Sequence, residues 1–230
     1  MCILCELKNI ESNETKIELC SNAEQLNCLP KTVTHLVIRN NKHIKELPIL
    51  HEGVLSLKCS DCPNLASIPN LPESLDALCL TGLKIEVLPK LNSGLTYLYI
   101  RELPNLKRIE ELPSNLTVLS LMYVGIETLP DFPESLDELT LYELINIKEL
   151  PRLSSKIGSL SLTYLPKIEK IKNLPDGLRS VQIEFCKSLV DIPIFEQSFL
   201  KTTSYIDFTI VDCGWRDGTS LHIKINDNLS

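Results

Sequence analysis

Aromatic residues make up only 5% of this 230-residue chain, and tryptophan occurs once. Leu and Ile dominate the 43% of residues that are hydrophobic. No run of five or more basic residues appears, and the net charge is −7. Nucleic acid and anionic membrane surfaces are therefore disfavoured as generic partners. No apolar run reaches the eighteen residues of a transmembrane helix. The start, "MCILCELKNIE", lacks the basic residues and long apolar core of a signal peptide. The nine cysteines, an odd number, are accordingly expected to be reduced. On the same ground the sequons at Asn13, Asn115 and Asn228 carry no meaning. There is no glycine-rich phosphate loop. His35, His43, His51 and His222 are dispersed, in no metal-ligand spacing.

What the sequence does contain is a period. The pattern L-x-x-L-x-L, with Val, Ile or Cys allowed, begins at Val33, Val54, Leu75, Leu95, Leu116, Leu136, Ile157 and Leu178. The starts are 21, 21, 20, 21, 20, 21 and 21 residues apart. A weaker copy precedes them at Ile17 and Leu19. Each unit adds an apolar residue ten or eleven positions after its start, as at Ile44, Leu65 and Ile85. Another follows three residues later, as at Leu47, Ile68 and Leu88, and in six of the eight main copies proline comes next. In a strand, alternate side chains face opposite ways. Leu98 and Ile100 thus point one way, and Tyr97, Tyr99 and Arg101 the other. A single unit cannot bury its own leucines, but parallel stacking makes them one core. Nine strands at about 4.8 Å give a sheet roughly 40 Å long. The rest of each unit is too short for a long helix and is broken by proline, which predicts extended, polyproline-like or 3₁₀ structure.

The first half of each unit resembles the leucine-rich-repeat pattern L-x-x-L-x-L-x-x-N/C-x-L. Segments such as "IPNLPESL", "LPDFPESL" and "IEELPSNL" are similar to the short proline-marked repeats of bacterial type III effectors. Giant-virus and amoebal proteins and plant immune receptors carry similar units. The resemblance implies an α/β-class repeat solenoid that is mostly β. It would be a leucine-rich-repeat horseshoe with a concave parallel sheet, an extended or 3₁₀ convex side and a C-terminal β-hairpin cap. We divide the chain into an N-terminal cap (1–13), about nine repeats (14–193) and a C-terminal cap with a β-hairpin (194–230). The hairpin is read from two alternating runs, Ile206-Phe208-Ile210 and Leu221-Ile223-Ile225, around the turn-rich "DCGWRDG". Trp215 in that turn either packs back on the cap or forms a small contact site.

Two C-x-x-C pairs, Cys2/Cys5 and Cys59/Cys62, raise the question of zinc. The repeat directs Cys59 and Cys62 into the stack. Cys59 stands where other units have Ile38, Leu80 or Ile100. Cys62 stands at the family's Asn/Cys position, which reads Asn22, Asn41, Cys62, Leu83, Leu103, Val124, Leu144, Leu165 and Cys186. A buried thiol is a small hydrophobe with a weak donor and fits the hole that Asn would fill. Where aliphatics stand there, backbone groups must pair with each other or with water. Cys20 and Cys28 are read as structural, and Cys79 as a partly exposed outward thiol. Cys2 and Cys5 fall in the cap without a second pair to complete a metal site. No metal or cofactor is expected.

Function then falls to the outward strand positions. Tyr97, Tyr99, Tyr123 and Tyr142, with Met122, lie in three consecutive central units, and Tyr164 follows in the next. Arg101 and Glu138 lie beside them. Such a Tyr/Met/Arg cluster has the composition of a protein-binding hot spot. Outward sheet positions also favour tyrosine and threonine for conformational reasons alone. Charge drifts from His35, Arg39 and Lys58 to Glu138 and Glu184, enough to orient a partner if it is not chance. We therefore expect a non-enzymatic protein-interaction module, with Tyr97, Tyr99, Arg101, Met122, Tyr123, Glu138, Tyr142 and Tyr164 meeting a partner protein on the concave face. It is expected to be a monomer, without nucleic-acid binding or membrane insertion. The resemblance implies a bacterial effector, in the cytoplasm or delivered into a host cell by a non-classical route. The alternatives are a recruiting subunit for a ubiquitin ligase or kinase, and a viral or amoebal repeat protein. Cys213 in "DCGWRD" invites comparison with ubiquitin-ligase effectors. Those carry a large helical catalytic domain, whereas only 37 residues follow the repeats here.

Overall fold

A computed structural model describes residues 15–19, 26, 28–192, 205–213 and 221–226, with the backbone alone at 205–208 and 221–226. The expected N-terminal cap, Cys2, Cys5, Cys20, Asn22 and Trp215 lie outside the described residues. Each repeat contributes one strand at the expected place. These are β1 (Lys16–Leu19), β2 (His35–Arg39), β3 (Ser56–Ser60), β4 (Ala77–Thr81), β5 (Tyr97–Leu103), β6 (Val118–Val124), β7 (Glu138–Tyr142), β8 (Ser159–Thr163) and β9 (Ser180–Glu184). Two more, β10 (Tyr205–Val211) and β11 (Leu221–Asn226), complete an 11-stranded sheet in sequence order. Pairing is parallel throughout except for the β10–β11 hairpin. Register follows the repeat: Leu98 pairs with Leu78 and Leu119, and Ile100 with Leu80 and Leu121.

The inward leucines form one continuous buried column, from Ile17 and Leu19 through Leu36, Leu57, Leu78, Leu98, Leu119, Leu139 and Leu160 to Val181. Each such side chain contributes about 1.5–3 kcal/mol when fully buried. It reaches that burial only because coils lie on both sides. Between strands no helix of any kind occurs among the described residues. The return segments run extended between tight turns, which selects one of the conformations the prolines allow. The second proline of the motif opens the turn into the next strand. The Leu75, Leu116 and Leu136 N–H groups donate to the Pro72, Pro113 and Pro133 carbonyls, each at 3.1 Å.

Every strand from β2 to β10 leaves the sheet through a left-handed residue: Asn40, Asp61, Gly82, Glu102, Tyr123, Glu143, Tyr164, Phe185 and Asp212, with φ between 49° and 62°. This conformation resets the alternation of the strand. The residue before it and the left-handed residue itself both lie on the outer side, with Thr163 alone of them buried, and the next one turns inward. Its N–H donates to the following coil, as Asp61 does to Thr81 O (3.0 Å) and Tyr164 to Glu184 O (2.9 Å). The inward residue that follows is the Asn/Cys position. Asn41 Oδ1 accepts from the His43 and Ile44 N–H groups at 2.8 and 2.9 Å. Cys62 Sγ instead donates to Ser60 O at 3.2 Å and reaches Ile38 O of the preceding coil at 4.0 Å. Where Leu103 and Leu144 stand, backbone pairs close the turn through Leu106 N and Ile147 N.

The hairpin is more than an end piece. β10 continues the ladder in register, pairing Ile210 with Ile183 and Val211 with Glu184. Asp212 then takes the left-handed position. Cys213 takes the Asn/Cys position, its Sγ 3.5 Å from Val211 O and 3.8 Å from Ile183 O. Residues 205–213 thus form a tenth rung whose apolar spacing lies outside the regular period.

Candidate functional site

The outer face of the sheet carries three columns of side chains plus the left-handed exit column. The eight residues expected to meet a partner separate there into two groups. Tyr97, Tyr99, Arg101, Met122 and Glu138 stand on β5, β6 and β7. Tyr99 donates its hydroxyl to Met122 Sδ at 3.8 Å. The Tyr97 phenol is raised above its ordinary value, first by burial and then by the neighbouring Cys79, Tyr99 and Glu138. The Arg101 guanidinium is held firmly charged by hydrogen bonding to Tyr99 and by Glu102, whose Oε1 lies 3.0 Å from its Nε. Ser120 lies in register between Tyr99 and Thr140 and is only 7% exposed, although it points to the outer face. Its hydroxyl has no hydrogen-bond partner among the described residues.

The second group follows the strand exits. Tyr123 and Tyr142 have ring centroids 5.1 Å apart, and Tyr142 meets Tyr164 edge-on at 5.7 Å. Tyr164 stacks on Phe185 at 4.5 Å with 14° between planes. Arg101 lies 5.8 Å over the Tyr123 ring and joins the two groups. The Tyr142 phenol is raised by its hydrogen bond with Tyr123 and, less, by burial. Tyr123 and Tyr164 remain 37% and 42% exposed. Phe185 is an extension that tyrosine clustering does not reveal, since it is signalled only by its place in the exit column. Three of these four rings stand on left-handed backbone, a conformation that disfavours bulky residues by about 1–2 kcal/mol. The ring contacts, at about 0.5–1.5 kcal/mol a pair, offset it.

The cysteines fall into place on the inner side. Cys59 and Cys62 are fully buried, and burial raises both thiols. No group of three or more potential metal ligands converges among the described residues. Cys79 is half-buried on the outer face, and its thiol is raised by that burial, with Lys58 opposing. Cys213 differs: a hydrogen bond from Cys186 lowers it to about 7, while that bond and burial raise Cys186. On the return side an open groove of about 1630 Å³ runs past Val87, Asn92, Arg108 and Leu112, with no aromatic side chain in its lining.

No family model matches the chain, and no curated protein matches its sequence. Among solved structures, YopM from Yersinia enterocolitica WA-314 superposes on 84% of the chain with a TM-score of 0.53 and 21% sequence identity. That neighbour has the same parallel repeat architecture. The chain has the leucine-rich-repeat fold. It resembles the repeats of bacterial effectors at the level of architecture, and it spans 50% of the length of YopM. Among the described residues no helix is long and apolar enough to cross a membrane.

Proposed function

We propose that this leucine-rich-repeat chain is a non-catalytic module that binds a partner protein on its concave face through Tyr97, Tyr99, Arg101, Met122, Tyr123, Glu138, Tyr142 and Tyr164. The carrying observation is the contiguous ring system on the outer face, joined by Arg101, in a chain otherwise poor in aromatics. Tyrosine and arginine on a rigid surface supply large contact area with little side-chain entropy to lose, which is the chemistry of interface hot spots. The setting we assign is an effector acting in another organism's cell, supported by the fold shared with YopM, a type III effector. The test is capture from eukaryotic cell lysate on the immobilised chain, compared with a Tyr97→Ser/Tyr99→Ser/Tyr142→Ser variant of matching circular dichroism. Partners retained by the native chain and lost by the variant support the reading. Identical partner sets on both overturn it.

A further inference from the structure

The third and exit columns along β5 to β10 make a two-residue-wide rim. The left-handed residues turn two consecutive positions of each coil to the outer side there, although Thr163 of β8 stays buried. Acids occupy alternate rungs of this rim: Glu102 near the end of β5 and Glu143 after β7 in the exit column, then Glu184 at the end of β9 in the adjoining third column, while Asp212 follows on the very next rung, after β10. Tyr123 and Tyr164 fill the exits between them, and Tyr142 and Phe185 complete the ladder. Within these two columns Arg101 is the one cation, and it is bonded to Glu102. Glu143, Glu184 and Asp212 make no ion pair with a described residue. The rim is therefore an acidic strip with an aromatic floor.

Its spacing narrows the partner. Neighbouring rungs are about 4.8 Å apart, so Glu102, Glu143 and Glu184 recur about every 9.6 Å along the stack. A polyproline II helix repeats every three residues at about 3.1 Å per residue, or about 9.3 Å a turn. Its side chains at i, i+3 and i+6 share one face in step with Glu102, Glu143 and Glu184. A β-strand puts i and i+3 on opposite faces and cannot match. Prolines between the cations would lie on the rings, as such segments do in aromatic-lined grooves, and the cations can also sit over ring faces. Resting on the protein-binding reading above, we propose that this rim docks a polyproline II segment of the partner with Arg or Lys at every third residue.

The test uses fluorescein-labelled nine-residue peptides and the full chain, read by anisotropy at about 0.15 M salt. One peptide carries arginine at every third position in a proline frame. A second has the same composition with its arginines contiguous. A third has glutamate in place of arginine. The first is expected to bind about tenfold more tightly than the second, and the third not at all. Glu143→Gln/Glu184→Gln is expected to weaken the first peptide about tenfold and leave the second unchanged. Equal binding of the first two peptides, indifference to the Glu variant, or no binding of the first overturns the inference. If the peptide fails while partner capture stays sensitive to Tyr97 and Tyr99, the rim inference falls alone. If capture is insensitive as well, the concave-face reading falls with it.

Discussion

Two strand exits with the same backbone should respond in opposite directions to the same substitution. Glu143 and Tyr164 both have left-handed φ, 52° and 54°. Asn tolerates that conformation better than either. At Glu143 no ring contact or salt bridge is lost, so Glu143→Asn should stabilise the chain by about 0.5–1 kcal/mol. At Tyr164 the same relief is set against two ring contacts, at 5.7 Å to Tyr142 and 4.5 Å to Phe185. Those pairs contribute roughly 1–3 kcal/mol together. Tyr164→Asn should therefore destabilise by about 1 kcal/mol, leaving a gap near 2 kcal/mol between the two variants. Urea unfolding followed by circular dichroism reads both, provided the slopes agree. A double-mutant cycle between Tyr164→Asn and Phe185→Asn should show a coupling of about 0.5–1.5 kcal/mol. If both single variants move the midpoint the same way and the coupling is within about 0.3 kcal/mol of zero, the rings do not hold the rim and the reasoning fails.

Cys213, lowered to about 7 by Cys186, should be alkylated by iodoacetamide at a rate that rises through about pH 7. Cys59 and Cys62, buried and raised, should react only on unfolding. Peptide mass spectrometry separates the sites, and a Cys213 no faster than Cys79 would contradict the assignment. Gly125→Ala should cost about 1–3 kcal/mol in the same urea experiment, because an added Cβ meets the Pro104 carbonyl oxygen of the preceding coil. The Tyr97 and Tyr142 phenols are both raised in the fold. Their contribution to stability is complete below the ordinary phenol value of about 10 and disappears as the pH climbs through the folded values. Ultraviolet titration of the native chain minus that of a Tyr97→Phe/Tyr142→Phe variant should show the two removed phenols ionising above about pH 10, and their ionisation at or below that value would count against it.

The leucine ladder was legible because core positions recur at fixed spacing and every coil obeys the same alternation. Cys59 and Cys62 were legible for the same reason, since the frame says which way they point whatever their spacing suggests. The left-handed backbone of the exit column was not. Asn40, Asp61 and Gly82 are residues that favour left-handed backbone, and read down the column they are a signal. Glu102, Tyr123, Glu143, Tyr164 and Phe185 then hide it. The tyrosine cluster was visible as a cluster, but its contacts were not. Tyr142 stands in the third column and Tyr123 and Tyr164 in the exit column. Strict alternation would send those two columns to opposite faces, and only the left-handed residue brings them to one side. Cys213 was compared with a catalytic residue because the tenth rung lacks the repeat's spacing. Only its pairing with β9 shows that it occupies the same hole as Cys62 and Cys186.

The exit column also separates what the fold requires from what it merely tolerates. The turn needs a left-handed residue in each coil and nothing more. β2 to β4 meet that need with Asn40, Asp61 and Gly82, and β10 with Asp212, all well suited to the conformation. Coils β6, β8 and β9 meet it with Tyr123, Tyr164 and Phe185, which are not. Folding alone gives no reason to place the three least suitable side chains within four adjacent coils. Their mutual stacking explains how the rim tolerates them, since each ring recovers through its neighbours what its own backbone loses. It does not explain why Tyr123 and Tyr164 remain more than a third exposed. A ring held rigidly at the surface by strained backbone and by its neighbours is already ordered before anything binds. That is the condition under which an aromatic contact yields most of its energy on association. Strain, stacking and exposure coincide on the same rungs, which is the physical reason for including the β6 to β9 exits in the proposed recognition surface.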